Sequence, residues 1–235
     1  MWKNYIKNRI LEIIFPQICF GCGKEKEYLC DDCKACLEIS SYIYCLCEKP
    51  VILSDAGKCR RCRDKKLDGL YSALPYQNKL VQKLIQNFKY EPFIKDLSKS
   101  LSSLIIEHLQ LLDNKPDLSS FFLTPVPLHK KRLKWRGFNQ AEEIAKELTN
   151  YLKIPLINDC LIKIRETPTQ MELSGEERKE NIKGVFLVKN KDLIQNKKIL
   201  LVDDVYTTGS TMEECARILK EAGAKEVVGM VVARE

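Results

Sequence analysis

The sequence predicts an α/β protein: a mainly parallel sheet with helices on both faces, preceded by a small Cys-rich module. The chain has 235 residues, of which 45% are hydrophobic and 30% charged, a composition typical of a folded globular protein. From residue 69 onward, strand-like apolar runs alternate with amphipathic helical segments. Nine of the eleven cysteines lie before residue 63. We therefore expect a Cys-rich zinc-binding module with an N-terminal helix over residues 1–68 and an α/β domain over residues 69–235.

The predicted elements follow from hydrophobic periodicity and from the residues that interrupt it. Apolar, β-prone runs predict strands at 70–76, 121–128, 155–165, 185–188, 198–203 and 227–232. Helical periodicity predicts helices at 79–88, 94–112, 140–152 and 212–221. Pro92 separates the first two helices, Pro155 follows the third and Gly223 closes the last.

Charge and cysteine usage limit the function classes. The first fifteen residues mix charges with apolar residues at helical spacing, which favours an amphipathic helix over an export signal. We therefore expect a cytoplasmic protein with reduced thiols, in which Cys160 and Cys215 are ordinary buried thiols. No apolar run approaches the roughly 18 residues of a membrane span, so no membrane insertion is expected. The net charge of +7 is weak support for DNA binding by itself.

Eight cysteines fall in pairs whose spacing predicts metal binding. Two CxxC turns present four thiolates, a closed tetrahedral zinc shell whose binding would help to fold a segment with little core. The second quartet is a weaker candidate because one residue, not two, separates its first pair, and Cys36 is an alternative ligand. The competing interpretation of a CxxC pair is a redox-active dithiol. The quartets are Cys19, Cys22, Cys30 and Cys33, and Cys45, Cys47, Cys59 and Cys62.

Residues 199–211 (ILLVDDVYTTGST) combine a buried strand, two acids and a hydroxyl-rich turn. The strand delivers Asp203 and Asp204 to the carboxyl edge of the sheet, where α/β proteins bind ligands. Gly209 lets the backbone approach closely, and the turn amides and helix N-terminus suit a phosphate dianion. The two carboxylates suit the paired hydroxyls of a polyol, or Mg²⁺ held by them. The pattern predicts a binding site for a 5-phosphoribosyl group. The alternative is an Asp-rich turn that only caps a helix.

Residues 129–139 (HKKRLKWRGFN) predict a basic loop at the same sheet edge. Its cations would hold pyrophosphate, a leaving group that needs positive charge. Trp135 and Phe138 lie among the cations, an arrangement that also grips single-stranded nucleic acid. The alternative is a solvated basic turn with Trp135 packed inward. His129 is a candidate base, although a lone histidine is more often structural. The cations are Lys130, Lys131, Arg132, Lys134 and Arg136.

The polar segment of residues 166–184 is long for a loop in a compact domain. We expect a flexible loop here, with Arg165, Gln170 and Arg178 as its functional side chains. An ordinary surface loop without a functional role is an equally good interpretation. Lys83 and Lys89 either add to the anion site or form the polar face of a helix.

The order of these motifs resembles the ComF (ComFC) competence family over essentially the whole chain. The Cys pairs are followed by PVPL, by RGFNQA at 136–141, by TPTQ at 167–170, by Arg178 and Asn181, and by VDDVYTTGST at 202–211. Members combine a zinc-finger module with a type I phosphoribosyltransferase domain and are implicated in handling incoming single-stranded DNA during natural transformation. The sequence departs from the family at the Cys45–Cys47 spacing and at Glu48, where a glycine often stands.

The resemblance implies a site for phosphoribosyl pyrophosphate (PRPP). The resemblance implies that the catalytic residues Asp203 and Asp204 contact the ribose hydroxyls, directly or through Mg²⁺. It also implies that the flexible loop closes over the substrate. Tyr206 would lie near the sugar. The 5′-phosphate would be bound by Thr207, Thr208, Gly209, Ser210 and Thr211.

Three functions remain open at the sequence level. The first is a PRPP-binding protein that handles single-stranded DNA in competence, with other DNA-uptake proteins as its partners. The second is an active phosphoribosyltransferase on an unidentified acceptor. The third is a regulatory protein that senses PRPP without turnover and binds a protein partner through its zinc module.

Overall fold

The computed structural model describes residues 16–167 and 181–235. The strands are β1 (Ile43–Tyr44), β2 (Ile52–Leu53), β3 (Gly69–Pro75), β4 (Phe121–Pro125), β5 (Leu161–Lys163), β6 (Phe186–Val188), β7 (Lys198–Tyr206) and β8 (Glu226–Arg234). The α-helices are α1 (Asp31–Ala35), α2 (Lys79–Lys89), α3 (Leu97–Leu111), α4 (Lys130–Arg136), α5 (Gln140–Leu152) and α6 (Ser210–Glu221). In the described part of the chain, no helix has the length and apolar character needed to cross a bilayer.

The central sheet has four parallel strands in the order β3-β8-β7-β4. In β7, Leu200 and Val202 contribute to one hydrophobic core, whereas Ile199 and Leu201 contribute to the other. This alternation follows from the two-residue period of a strand, and burial on both faces explains its continuous apolar run. Helices α2, α3 and α5 cover the first face, and α6 covers the second. The predicted α/β class with helices on both faces is confirmed.

The Cys-rich segment contacts both faces of this sheet. Leu29, Leu37 and Ile43 join the core beneath α2 and α3. Leu46 and Leu67 join the core that contains α6. The first cysteine quartet therefore lies on the side of α2 and the second on the side of α6. The division at residue 68 stays a prediction, since the two regions share both cores.

Two expected elements differ from the structure, and the structure does not test a third. The basic loop of residues 129–139 is largely the helix α4, because His129 caps its N-terminus and Gly137, with φ of 84°, closes its C-terminus. The run 155–165 contains only the short strand β5. That strand pairs with β6 in a two-stranded antiparallel sheet, separate from the central sheet. The predicted amphipathic helix of residues 1–15 lies outside the described residues.

Candidate functional site

The carboxyl ends of the four parallel strands meet at one edge of the sheet, as the register pairs Pro75 and Tyr206 with Arg234. A cavity of about 490 Å³ opens there. Its wall includes Tyr76 after β3, Val126 after β4, and both predicted acids on β7. The location agrees with the rule that α/β sheets bind ligands beyond their strand ends.

Two acids and one lysine form the floor of the cavity. Lys89 Nζ at the end of α2 lies 2.9 Å from Asp204 Oδ1, and the Asp204 side chain is only 4% exposed. Asp203 Oδ1 accepts a hydrogen bond from the Asp204 backbone N–H at 2.8 Å. Burial, and then the charge of Asp204, raise the pKa of Asp203 to about 7. A cation in the cavity would favour the charged form of Asp203. The two carboxylates fit a divalent metal or the paired hydroxyls of a polyol.

The hydroxyl-rich turn of residues 207–211 joins the acids to α6. Gly209 has φ of 77°, and a Cβ at this position would overlap the Tyr206 ring beneath it. The Thr208 and Ser210 hydroxyls lie 2.9 Å apart. Thr207, Gly209, Ser210 and Thr211 line the cavity, so hydroxyls and the amides at the start of α6 surround one space, as a phosphate dianion requires.

Three cations line the cavity from other elements. Arg132 Nη2 donates to the Thr167 carbonyl at 2.8 Å, and Lys163 Nζ donates to the Thr167 hydroxyl at 2.8 Å. Burial, and then the charge of Arg132, lower the pKa of Lys163 to about 8. Arg136 is buried against Gln140, which donates in turn to the Phe88 carbonyl at 3.1 Å.

The remaining cations of α4 are outside the cavity. Lys130, Lys131 and Lys134 are exposed, and Lys131 forms an ion pair with Glu166 at 3.1 Å. Trp135 is 59% exposed, so the alternative that it packs inward is wrong; its ring meets Phe93 edge to face, with centroids 4.8 Å apart. The helix therefore divides the predicted basic loop into a cavity side and an outward side.

Several other predicted residues have different surroundings. Lys83 donates to the Phe20 carbonyl at 3.2 Å in the Cys-rich segment, whereas Lys89 lies in the cavity. His129 accepts from the Lys131 N–H as a helix cap, which supports its structural reading. Arg165 is exposed and donates to the Lys183 carbonyl. Gln170 and Arg178 lie outside the described residues.

The Tyr206 ring is buried beneath the hydroxyl-rich turn.

The sequence does not indicate a binding role for three of the residues that line the cavity, Lys163, Thr167 and Gln140. Lys163 follows apolar residues in a β-prone run, and only the fold brings it to the cavity.

Both cysteine quartets have the geometry of a metal site. Within each, the four Sγ atoms lie within 4.8 Å of one another. The Cys19–Cys30 and Cys47–Cys59 Sγ distances are 3.6 and 3.5 Å. A tetrahedral zinc with bonds of about 2.3 Å needs separations of about 3.8 Å. Cys36 is exposed and belongs to neither quartet among the described residues. The quartets therefore match the predicted sets, including the pair with the shorter spacing.

The thiols of each quartet have hydrogen bonds to one another. Burial would raise the pKa of Cys19, but the backbone N–H groups of Cys22, Cys30 and Gly21 lower it to about 6. Hydrogen bonding from Cys30 raises the pKa of Cys33. Four thiolates at this spacing need a cation between them, so the donor set fits zinc.

Comparison with known proteins relates both parts of the chain to characterised families. Residues 135–235 match the phosphoribosyl transferase domain family. Competence protein F of Haemophilus influenzae is 31% identical over 212 residues, which cover 86% of this chain and 88% of that protein. Competence protein ComFC of Bacillus subtilis is 29% identical over 218 residues, covering 85% and 81%. The DNA utilization protein YhgH of Escherichia coli is 36% identical over 105 residues, 45% of each chain.

Proposed function

The chain belongs to the ComF (ComFC) competence family, and from that premise we propose that it binds PRPP with Mg²⁺ and handles single-stranded DNA in the cytoplasm during natural transformation. The matches support a competence-related protein with a phosphoribosyltransferase-like domain. The ligands, the metals and the DNA-binding surface are our proposals.

One observation carries the PRPP proposal: two acids, a hydroxyl-rich turn, and cations from α2, α4 and β5 line one cavity. The turn at residues 207–211 would bind the 5′-phosphate, and Asp203 and Asp204 would bind the ribose hydroxyls. Arg132, Lys163 and Arg136 would bind the pyrophosphate. Each group of the ligand then meets protein groups of the complementary charge or hydrogen-bonding type.

The same arrangement suits pentosyl transfer. The bond from ribose C1 to the pyrophosphate oxygen breaks, its electron pair leaves with pyrophosphate, and an acceptor atom forms the new bond to C1. Arg132 and Lys163 would stabilise the charge that develops on the leaving group. Mg²⁺, when bound, would add positive charge to the same phosphates. The alternative is a sensor that binds PRPP without turnover.

A binding comparison of two half-ligands tests the assignment of the cavity. Ribose 5-phosphate and pyrophosphate are titrated separately into the wild-type protein and into the Arg132→Gln variant. We expect Arg132→Gln to weaken pyrophosphate at least about tenfold, roughly 1.4 kcal/mol, and to leave ribose 5-phosphate nearly unchanged. Lys134→Gln is the matched control, since it removes one charge from the outward side of the same helix. Equal effects of both variants would contradict the assignment.

The outward side of α4 supports the DNA proposal. Lys130, Lys131 and Lys134 are exposed next to the exposed ring of Trp135. Cations attract the phosphate backbone, and an exposed ring stacks on a base, so this surface has both parts of a single-strand site. It adjoins the cavity through Trp135 and Arg132, which also line it.

The salt dependence of DNA binding tests this surface. Replacement of Lys130, Lys131 and Lys134 by Gln should reduce the slope of log affinity for an oligothymidine against log salt, because fewer counterions are released. Trp135→Ala should weaken binding without changing that slope. An unchanged slope in the triple variant would remove α4 from the DNA proposal.

Pyrophosphate release separates the transferase from the sensor. The zinc-loaded protein is incubated with PRPP and Mg²⁺, with and without single-stranded DNA. Release that requires DNA or another acceptor supports transfer; binding without release supports the sensor.

A further inference from the structure

We infer that the second cysteine quartet holds the phosphate-binding turn in position, with Arg234 and Tyr206 as the positioning residues between them. The ligand assignment of that turn rests on the proposed function. The mechanical coupling does not, and it can be measured in the absence of ligand.

Arg234 connects the second quartet to Tyr206. Its guanidinium donates to the Cys45 carbonyl at 2.6 Å and to the Cys47 carbonyl. It also lies over the Tyr206 ring, 5.4 Å from the ring centroid. Since Cys45 and Cys47 are members of the quartet, the carbonyls that orient Arg234 are fixed by the same backbone that presents two of the thiolates.

Lys65 provides a second contact between these regions. Its Nζ donates to the Leu46 carbonyl, between the two cysteines, at 2.6 Å and to the Tyr206 hydroxyl at 3.1 Å. Lys65 itself follows Cys62 by three residues, and its backbone N–H donates to the Cys62 carbonyl. Both ends of the quartet segment therefore act on the same tyrosine.

Tyr206 transmits this position to the turn. The ring is 2% exposed and lies directly beneath Gly209, so closely that only glycine fits above it. A buried ring in contact with backbone cannot shift without moving that backbone, because close-packed interiors transmit displacement. The orientation of the Gly209 and Ser210 amides thus depends on where the ring is held.

Glu213 supplies an independent connection. This residue lies in the first turn of α6, and its carboxylate accepts from the Lys66 N–H at 2.8 Å and from the Leu67 N–H at 3.2 Å. The Glu213 backbone N–H in turn donates to the Gly209 carbonyl at 2.8 Å. The segment after Cys62 is therefore bound to the helix whose N-terminus faces the cavity.

The first quartet contacts a different element. Lys83 of α2 donates to the Phe20 carbonyl, and a Cβ on Gly21 would meet the Leu80 side chain. This difference between the quartets provides an internal control. Loss of metal from the second site should disturb the turn, whereas loss from the first should disturb α2.

Hydrogen exchange of the full-length, ligand-free protein tests the coupling. Cys59→Ser removes a ligand of the second quartet and Cys22→Ser a ligand of the first, with zinc content measured for each. Arg234→Gln removes the guanidinium that bonds the Cys45 and Cys47 carbonyls while keeping all eight thiols, and Arg234→Lys restores one cationic donor. Lys83→Gln is the matched control, since it removes the corresponding contact at the first quartet.

We expect Cys59→Ser and Arg234→Gln to accelerate exchange of the amides of residues 207–213 at least about tenfold, and to weaken ribose 5-phosphate binding by a similar factor. Cys22→Ser and Lys83→Gln should leave both within about twofold, and Arg234→Lys should recover part of the loss. A zinc-replete Arg234→Gln protein with wild-type exchange would overturn the inference, as would equal effects of Cys22→Ser and Cys59→Ser. Failure of the wild-type protein to bind ribose 5-phosphate would instead refute the proposed function, while the exchange data would still decide the coupling.

Discussion

Lys89 and Asp204 form an ion pair of 2.9 Å between the end of α2 and the end of β7. The carboxylate is almost fully buried, and the lysine side chain is about one-third exposed at 34%. The pair fixes the helix to the sheet edge at the floor of the cavity. It also supplies a counter-charge for Asp204 before any ligand arrives, since a buried carboxylate without a partner is costly.

Removal of one partner of this pair should destabilise the fold. Lys89→Gln leaves Asp204 buried without its cation, and we expect a loss of about 1–3 kcal/mol in the free energy of unfolding. Urea denaturation measures it. The double variant Lys89→Gln with Asp204→Asn should recover part of the loss, because the remaining side chains are neutral. Strictly additive effects would show that the two groups do not interact.

The lowered pKa of Lys163 leads us to expect that pyrophosphate binding depends on pH. Its pKa is lowered to about 8, by burial and then by Arg132. The ammonium is charged below that pH and neutral above it, so its attraction for an anion is lost as pH rises through about 8 and above. The ratio of wild-type to Lys163→Gln affinity should therefore fall between pH 7 and pH 9. The ratio cancels the ionisation of pyrophosphate itself, and a constant ratio would exclude Lys163 from the site.

Metal analysis should give two zinc ions per chain. Each quartet has Sγ separations near those of a tetrahedral site, including the one that contains the Cys45–Cys47 pair. Cys36→Ser should leave the content at two, because Cys36 is outside both quartets. Cys30→Ser should reduce it to one. A content of one zinc ion in the wild-type protein would contradict this prediction. It would indicate that the quartet with the Cys45–Cys47 pair binds no zinc.

Asn139 connects α5 to the sheet edge. Its side chain accepts from the Ala141 N–H at 3.2 Å and donates to the Val126 carbonyl at 3.0 Å. We expect Asn139→Ala to cost about 1–2 kcal/mol, since a cap and a buried hydrogen bond are lost together. Asn139→Ser keeps a cap acceptor but loses the donor to Val126, and should cost less. Thermal unfolding compares the two variants.

The contiguous features of the site could be predicted from the sequence, because one strand and its following turn carry them. The residues from Asp203 to Thr211 supply acids, hydroxyls and glycine in chain order, so local structure suffices. The cysteine quartets follow the same logic, since CxxC turns specify their own geometry.

The residues that reach the cavity from elsewhere were harder to predict. Lys89 is 115 positions from Asp204, and its periodicity in α2 fits a solvated face equally well. The run of basic residues at 129–139 favours a loop, whereas the helix depends on the caps at His129 and Gly137. Only the helix determines that Arg132 faces the cavity and Lys134 does not. Arg234 has no local signal, since its role depends on the Cys-rich segment packing against β8.

Calorimetric titration of the zinc-loaded protein with PRPP and Mg²⁺ tests the central claim most directly. The wild-type protein should bind PRPP saturably, and a variant with Asp203→Asn and Asp204→Asn should lose that binding while retaining its affinity for single-stranded DNA. The retained DNA affinity shows that the variant is folded and that the two sites are separate. Absence of PRPP binding by the wild-type protein, or wild-type PRPP affinity in the double variant, would contradict the assignment of this cavity.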